Sequence, residues 1–113
     1  MNRKQKIKKL DKLWSQIIRS RGKCERCNKD TTLAAHHINP RNKFNTRWDL
    51  ENGVCLCYRC HIHWAHKDVP DAAEWFKERL GEKQYDDLKQ RSNMSAKGQD
   101  LEAIEIYLES QND

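Results

Sequence analysis

Cys24 and Cys27 form one C-x-x-C turn, Cys57 and Cys60 form a second, and 29 residues separate them. Each such turn presents two thiolates to one ion, and two turns complete a tetrahedral zinc site. A chain that closes this site must bring residues 24–27 against residues 57–60. Four thiolates leave no open coordination position, so a metal held by them is structural. The composition favours such a staple: with 36% apolar and 35% charged residues in a chain of 113, one small domain has little core to rely on. The remaining cysteine, Cys55, alternates with Val54 and Leu56 and reads as a small buried hydrophobe.

Charge is divided along the chain. Residues 1–66 hold 15 Lys/Arg against 5 Asp/Glu, whereas residues 67–113 hold 7 against 12. A basic front half suits a polyanion, most often nucleic acid, although a solvated charged face would read the same way. The opening "MNRKQKIKKLDKL" has no apolar stretch of the export type, and no run approaches the length of a membrane span. A cytoplasmic location without membrane contact is therefore expected, where close cysteine pairs more often bind metal than form disulfides.

Apolar periodicity places the elements. Ile7, Leu10, Leu13, Trp14, Ile17 and Ile18 recur at helical spacing over residues 5–20, with lysines opposite. "RSRGKCERCNKD" is a tight turn, Thr31–Ile38 a short strand and Asn39–Asp49 an irregular basic loop. Gly53–Leu56 predicts a second strand, and "CYRCHIHWAH" turns into a helix. Asp71 and Glu74 resemble a capping box for the helix that Gly81 ends, and another helix is expected over Lys83–Gln90. "SNMSAKG" reads as a linker before a final helix, Leu101–Leu108. The expected organisation is a domain over residues 1–91 (helix 5–20, core 21–68, helical extension 70–91) and a linker with an acidic helix over 92–113.

The 29-residue insert carries the chemistry. His36 and His37 are adjacent in the first strand, and adjacent strand residues point to opposite faces. A metal shared by the two imidazoles is one reading of the pair, and a metal ligand beside a catalytic base is another. Asn52 precedes Gly53, and His61 directly follows the last cysteine. Closing the cysteine site brings the strand with the histidines near the helix that His61 begins, so a second, histidine-rich site beside the first is expected.

The stretch "AAHHINPRNKFNTRWDLENGVCLCYRCHIHWAH" resembles the HNH endonuclease motif. The resemblance implies an α+β fold, with a small ββα-metal, treble-clef-like core stapled by zinc and flanked by the N-terminal and C-terminal helices. It implies that His36 and His61 bind a catalytic divalent ion (magnesium, manganese or nickel) and that His37 is the general base. Asn52 matches the motif's asparagine. In some members a further histidine follows one turn on; that spacing falls on Ala65, with His66 and His63 as the neighbours that could serve. The implied reaction is DNA phosphodiester hydrolysis leaving 5′-phosphate and 3′-hydroxyl ends, with Arg41, Lys43 and Arg47 beside the base as candidate phosphate contacts. More loosely, "LWSQIIRSRGKCERC", "NTRWDLENG" and "AAEWFKERLGEKQYDDL" are similar to phage HNH proteins of the recombination-endonuclease type, which act on branched DNA. Alternatives to a self-sufficient nuclease on duplex or branched DNA are a non-catalytic zinc-stapled DNA-binding module and a subunit that depends on a phage packaging or recombination partner. A homodimer is also compatible with the sequence.

Overall fold

Strands β1 (Leu33–His37) and β2 (Gly53–Cys57) pair antiparallel, with Leu33 opposite Cys57, Ala35 opposite Cys55 and His37 opposite Gly53. Their two-residue alternation sorts the buried side chains into two clusters, one on each face. Val54 and Leu56 join Trp64, Ala72 and Phe76 on one face. Cys55 joins Leu10, Trp14, Ile18, Trp48 and Leu108 on the other. A two-stranded ribbon is marginal by itself, so its stability here comes from being covered on both sides. The computed structural model describes residues 1–111; the last two positions of the expected 92–113 segment lie outside the described residues.

One cover is helix α1 (Arg3–Arg19), started by Asn2 and Gln5 in a reciprocal capping box. Leu10, Trp14 and Ile18, spaced four residues apart, bury its inner stripe. It lies so close to β2 that a Cβ added at Gly53 would sit 2.4 Å from Cδ1 of Ile18 and 2.7 Å from Cζ2 of Trp14. Replacing Gly53 by alanine therefore overpacks this contact, at a cost of about 1–3 kcal/mol.

The other cover begins with α2, whose opening turn Tyr58–Cys60 passes directly into a π-helical turn, His61–Ala65. Helix α3 (Val69–Leu80) follows, capped by Asp68, whose side chain accepts from the Asp71 N–H. The expected capping role of Asp71 is therefore incorrect. Pro70 lies in the first turn, where its missing N–H costs nothing. The Asp71 carboxylate instead accepts the indole N–H of Trp64 at 2.8 Å, tying α3 to α2. Gly81, at φ +88°, ends α3, and α4 (Glu82–Ser92) starts at once. The α4 terminus is held to the loop after β1 by a buried Thr46–Ser92 hydroxyl pair at 2.7 Å and by Arg91 on Asp49 at 2.6 Å.

Helix α5 (Leu101–Ser110) docks on α1, burying Leu108 among Leu10, Trp14 and Ile18. Its acidic face meets the lysine face of α1: Lys6 pairs with Glu102 at 2.9 Å and with Glu105, which Lys9 also reaches. The charge asymmetry of the sequence is thus partly neutralised within the molecule. The five helices and the paired strands form the expected α+β fold around a cysteine cluster. Among the described residues, no helix is long and apolar enough to cross a membrane.

Hydrogen bonds from Lys6 and Lys9 hold the Glu105 carboxyl down at about 2, against 4.5 for an ordinary glutamate. A depressed acid stabilises the fold above its unfolded pKa and loses that contribution as pH falls through the folded one. Glu105→Gln should therefore lower the melting temperature at pH 7. The gap from wild type should narrow from pH ~4.5 downward and close near pH ~2 in a thermal melt series.

Candidate metal centres and active site

The four expected cysteines converge at the end of the sheet, their sulfurs all within 4.8 Å of one another. Cys57 ends β2 and Cys60 lies one helical turn on, while Cys24 and Cys27 come from the turn after α1. The Glu25 N–H donates to the Cys55 carbonyl at 2.8 Å, and the Cys55 N–H donates to the Glu25 carboxylate at 2.6 Å. That exchange lays the first C-x-x-C turn alongside β2. Burial opposes ionisation of the Cys24 thiol, yet backbone N–H groups of Cys57, Cys27 and Arg26 outweigh it and hold the thiol at about 6. Burial and the neighbouring thiols push Cys60 up to about 12, only partly offset by Arg26, which points Nη1 at its sulfur from 3.6 Å. Four thiols this close cannot all ionise unaided, whereas a divalent cation among them makes every thiolate favourable. The donor set and its closed geometry fit a structural zinc ion. Cys55 is fully buried on the other face, packed as a hydrophobe with α1.

A second cluster lies on the α2–α3 side of the sheet. His36 from β1 meets His61 and His66 from α2, with candidate ligand nitrogens within 4.8 Å of one another. The ring centroids lie 5.3 Å (His36–His61), 5.2 Å (His36–His66) and 4.6 Å (His61–His66) apart. The π turn explains the membership. Its wider winding lets the His66 N–H donate to the His61 carbonyl, five residues back, at 3.1 Å. His66 therefore stands over His61 where an α-helix would have placed Ala65. His63 points away, exposed and edge-on to Tyr58.

Nε2 of His61 and Nε2 of His66 approach to 3.0 Å, which fits either a hydrogen bond or a cation held between them. Burial first, then the nearby His61 and His66, drive the His36 imidazole down to about 3; burial and His66 lower His61 as well. Imidazoles converging on one point fit a divalent cation. Three protein ligands would leave room for water or substrate, as in catalytic rather than structural centres.

His37 faces the other way. Its ring stacks on Trp14 of α1, centroids 4.0 Å apart and planes 14° from parallel. Nε2 lies 3.0 Å from the carbonyl oxygen of Arg47. A carbonyl only accepts, so Nε2 carries the proton and Nδ1 keeps its lone pair. Burial lowers the His37 pKa; the Arg47 carbonyl and Asp11 oppose that shift, and Arg41 and Arg47 add to it. His36, His37, His61 and His66 nevertheless line one cleft of about 820 Å³, because the cleft straddles the end of β1.

Asn52 is completely buried, in a 3₁₀ turn spanning Leu50–Asn52. Its Oδ1 accepts from the backbone N–H of Asn39 at 2.8 Å and its Nδ2 donates to the Asn39 carbonyl at 3.1 Å. The amide thus closes the loop immediately after His37 and hydrogen-bonds Asn39 rather than any histidine. Of the basic loop residues, Arg41 is exposed on the cleft wall, whereas Lys43 is half-buried outside the lining. Arg47 is only 8% exposed, and its guanidinium grips Asp11 with two bonds of 3.0 and 2.7 Å. The Arg47 guanidinium, expected as a phosphate contact, is thus engaged by Asp11 within the fold. Asp11, which no sequence motif singles out, lines the cleft; its one signal is being the sole acid within the lysine-rich α1.

The ββα arrangement sets a four-cysteine cluster, positioned to hold a metal, beside three histidines that line a cleft. Residues 24–66 match the HNH endonuclease family model, and the four cysteines at the ends of that segment are positioned to bind a metal, consistent with a zinc-bound HNH domain. Among curated proteins and solved structures, the chain finds no match.

Zinc supplies folding energy when its ligands exist only in the folded chain. Purified protein should carry about one equivalent of zinc, and chelation should unfold it. Cys57→Ser should lose both metal and cooperative melting, whereas Cys55→Ala should keep its zinc, as metal analysis with circular dichroism would reveal.

Proposed function

We propose that this chain is a metal-dependent DNA endonuclease that hydrolyses phosphodiester bonds with His37 as general base. The observation that carries this reading is the 3.0 Å contact between Nε2 of His37 and the Arg47 carbonyl, which fits an Nε2–H tautomer with Nδ1 left to accept a proton, in a residue that lines the same cleft as the three-imidazole cluster. Nδ1 accepts a proton from water as that water attacks phosphorus, and the bond to the 3′-oxygen breaks, that oxygen taking a proton from solvent water. The products carry 5′-phosphate and 3′-hydroxyl ends. His36, His61 and His66 would hold the divalent ion, which when bound stabilises charge on the phosphate and the leaving oxygen. Imidazole donors suit manganese and nickel well, with magnesium served by a water-rich remainder.

Arg41, exposed on the cleft wall, is placed to meet the phosphate backbone. Lys43 lies further along the same loop and serves as a more distant phosphate contact. Asn52 acts by holding the loop after His37, so its role is positional. The HNH family implies DNA as the substrate, and the basic surface of residues 1–66 supports it electrostatically.

Plasmid relaxation tests the reading. Wild-type protein with manganese, magnesium or nickel should nick supercoiled DNA, and chelator should stop it. His37→Ala should retain zinc, fold and DNA binding while losing about 100-fold or more in rate, the usual contribution of a general base. DNA binding without cleavage by either protein, whatever the metal, would instead identify a zinc-stapled DNA-binding module or a partner-dependent subunit.

A further inference from the structure

Helix α1 lies outside the segment that matches the family model, yet it touches the proposed base directly through Trp14 and the residues beside it through Asp11. Trp14 stacks face to face on the His37 ring, and its indole N–H is fixed by the Asp49 carbonyl at 2.9 Å. Asp11, one turn before Trp14, takes the Arg47 guanidinium in a two-bond grip and also accepts the Trp48 indole N–H at 2.9 Å. Both partners flank the backbone carbonyl that receives the His37 Nε2–H.

We infer that Asp11 and Trp14 of α1 are positioning residues for His37: Asp11 locks the Arg47 backbone, whose carbonyl sets the tautomer, and Trp14 sets the plane of the ring. The inference rests on the reading of His37 as the base. A two-bond carboxylate–guanidinium pair fixes the planar groups in orientation as well as distance. The bulky part of Arg47 is held from a further side, because its guanidinium lies 5.0 Å from the Phe44 ring centre and 5.4 Å from that of Trp48. With side chain and neighbour both anchored to one carboxylate, the Arg47 carbonyl has little freedom to turn. A carbonyl that turned away would leave His37 free to carry its proton on Nδ1, the nitrogen that must be bare to accept one. Asp11 also reaches the exposed Arg41 at 3.2 Å, which gives the alternative that it serves DNA binding.

The test separates these roles. Asp11→Asn and Arg47→Lys are made in the wild-type and His37→Ala backgrounds, with zinc content and melting checked for each. In the wild-type background each should lower kcat by on the order of 10- to 100-fold, the scale of a small misplacement of a reacting group, with the KM for DNA changed less than about threefold. The pair combined should cost no more than either alone, and neither should lower the residual rate of His37→Ala further. Nitrogen-15 NMR of the imidazoles provides a readout independent of cleavage. His37 should be the Nε2–H tautomer in the wild type and a mixture of tautomers in Asp11→Asn. An unchanged kcat in folded Asp11→Asn would overturn the inference, as would an effect confined to KM or an equal loss in the His37→Ala background. If the wild type cleaves no DNA, the reading of the base fails, while the tautomer measurement still decides whether Asp11 orders the His37 ring. Should Asp11→Asn not fold, Arg47→Lys carries the same comparison, since it keeps the backbone and charge but loses the two-bond grip.

Discussion

Closure of the four-cysteine cluster is the constraint from which the rest of the structure follows. Two turns 30 residues apart in sequence are drawn to one point at the end of a two-stranded ribbon. With the ends of the segment fixed there, the ribbon has one register, and that register sets His37 opposite Gly53 at the far end, beside α1. A cysteine cluster positioned to hold a metal would take the place of the larger apolar core that so charged a chain cannot assemble. Glu25 reinforces the knot, bonding the Cys55 backbone in β2 and the side chains of Arg21 and Arg79.

The strand alternation then divides labour between adjacent histidines. His36 turns to α2 and α3, where burial keeps it neutral among other imidazoles and against Phe76. His37 turns to α1, where an indole and a backbone carbonyl hold it. Because β1 ends at this pair, both rings still reach the same cleft. A longer strand would have separated them by the thickness of the sheet. The absence of a side chain at Gly53 has the same origin, since α1 must come close enough for Trp14 to lie on His37.

Outside the matched segment, the helices convert a small core built around the cysteine cluster into a larger body. Helix α1 covers one face with a stripe of Leu10, Trp14 and Ile18, and α5 covers α1 in turn with Leu108 and its acidic side chains. Helices α3 and α4 close the other face and anchor the loop through Asn45, Thr46 and Asp49. The loop next to His37 is therefore tied at both sides, by Asn52 within the core and by Asp11 from α1.

Local patterns carried much of this design. The C-x-x-C spacings named the four cysteines, the period of α1 named its buried stripe, and the strand alternation separated His36 from His37. Such features depend on residues a few positions apart, whose relative directions the backbone geometry dictates. Contacts between distant segments were another matter. Asp68 rather than Asp71 caps α3, because Asp71 is claimed by Trp64. His66 joins His36 and His61 only because a π turn shifts it by one residue, a winding with no composition cue in "HIHWA". Arg47 reads as a phosphate contact until a carboxylate 36 residues earlier takes its guanidinium. The acidic α5 chose α1 for the same reason, through complementary charge and one buried leucine. Sequence alone determined which residues could bind metal and which faces they would occupy; tertiary structure decided which charges stay free, because a pairing energy exists only once the fold brings its partners within reach.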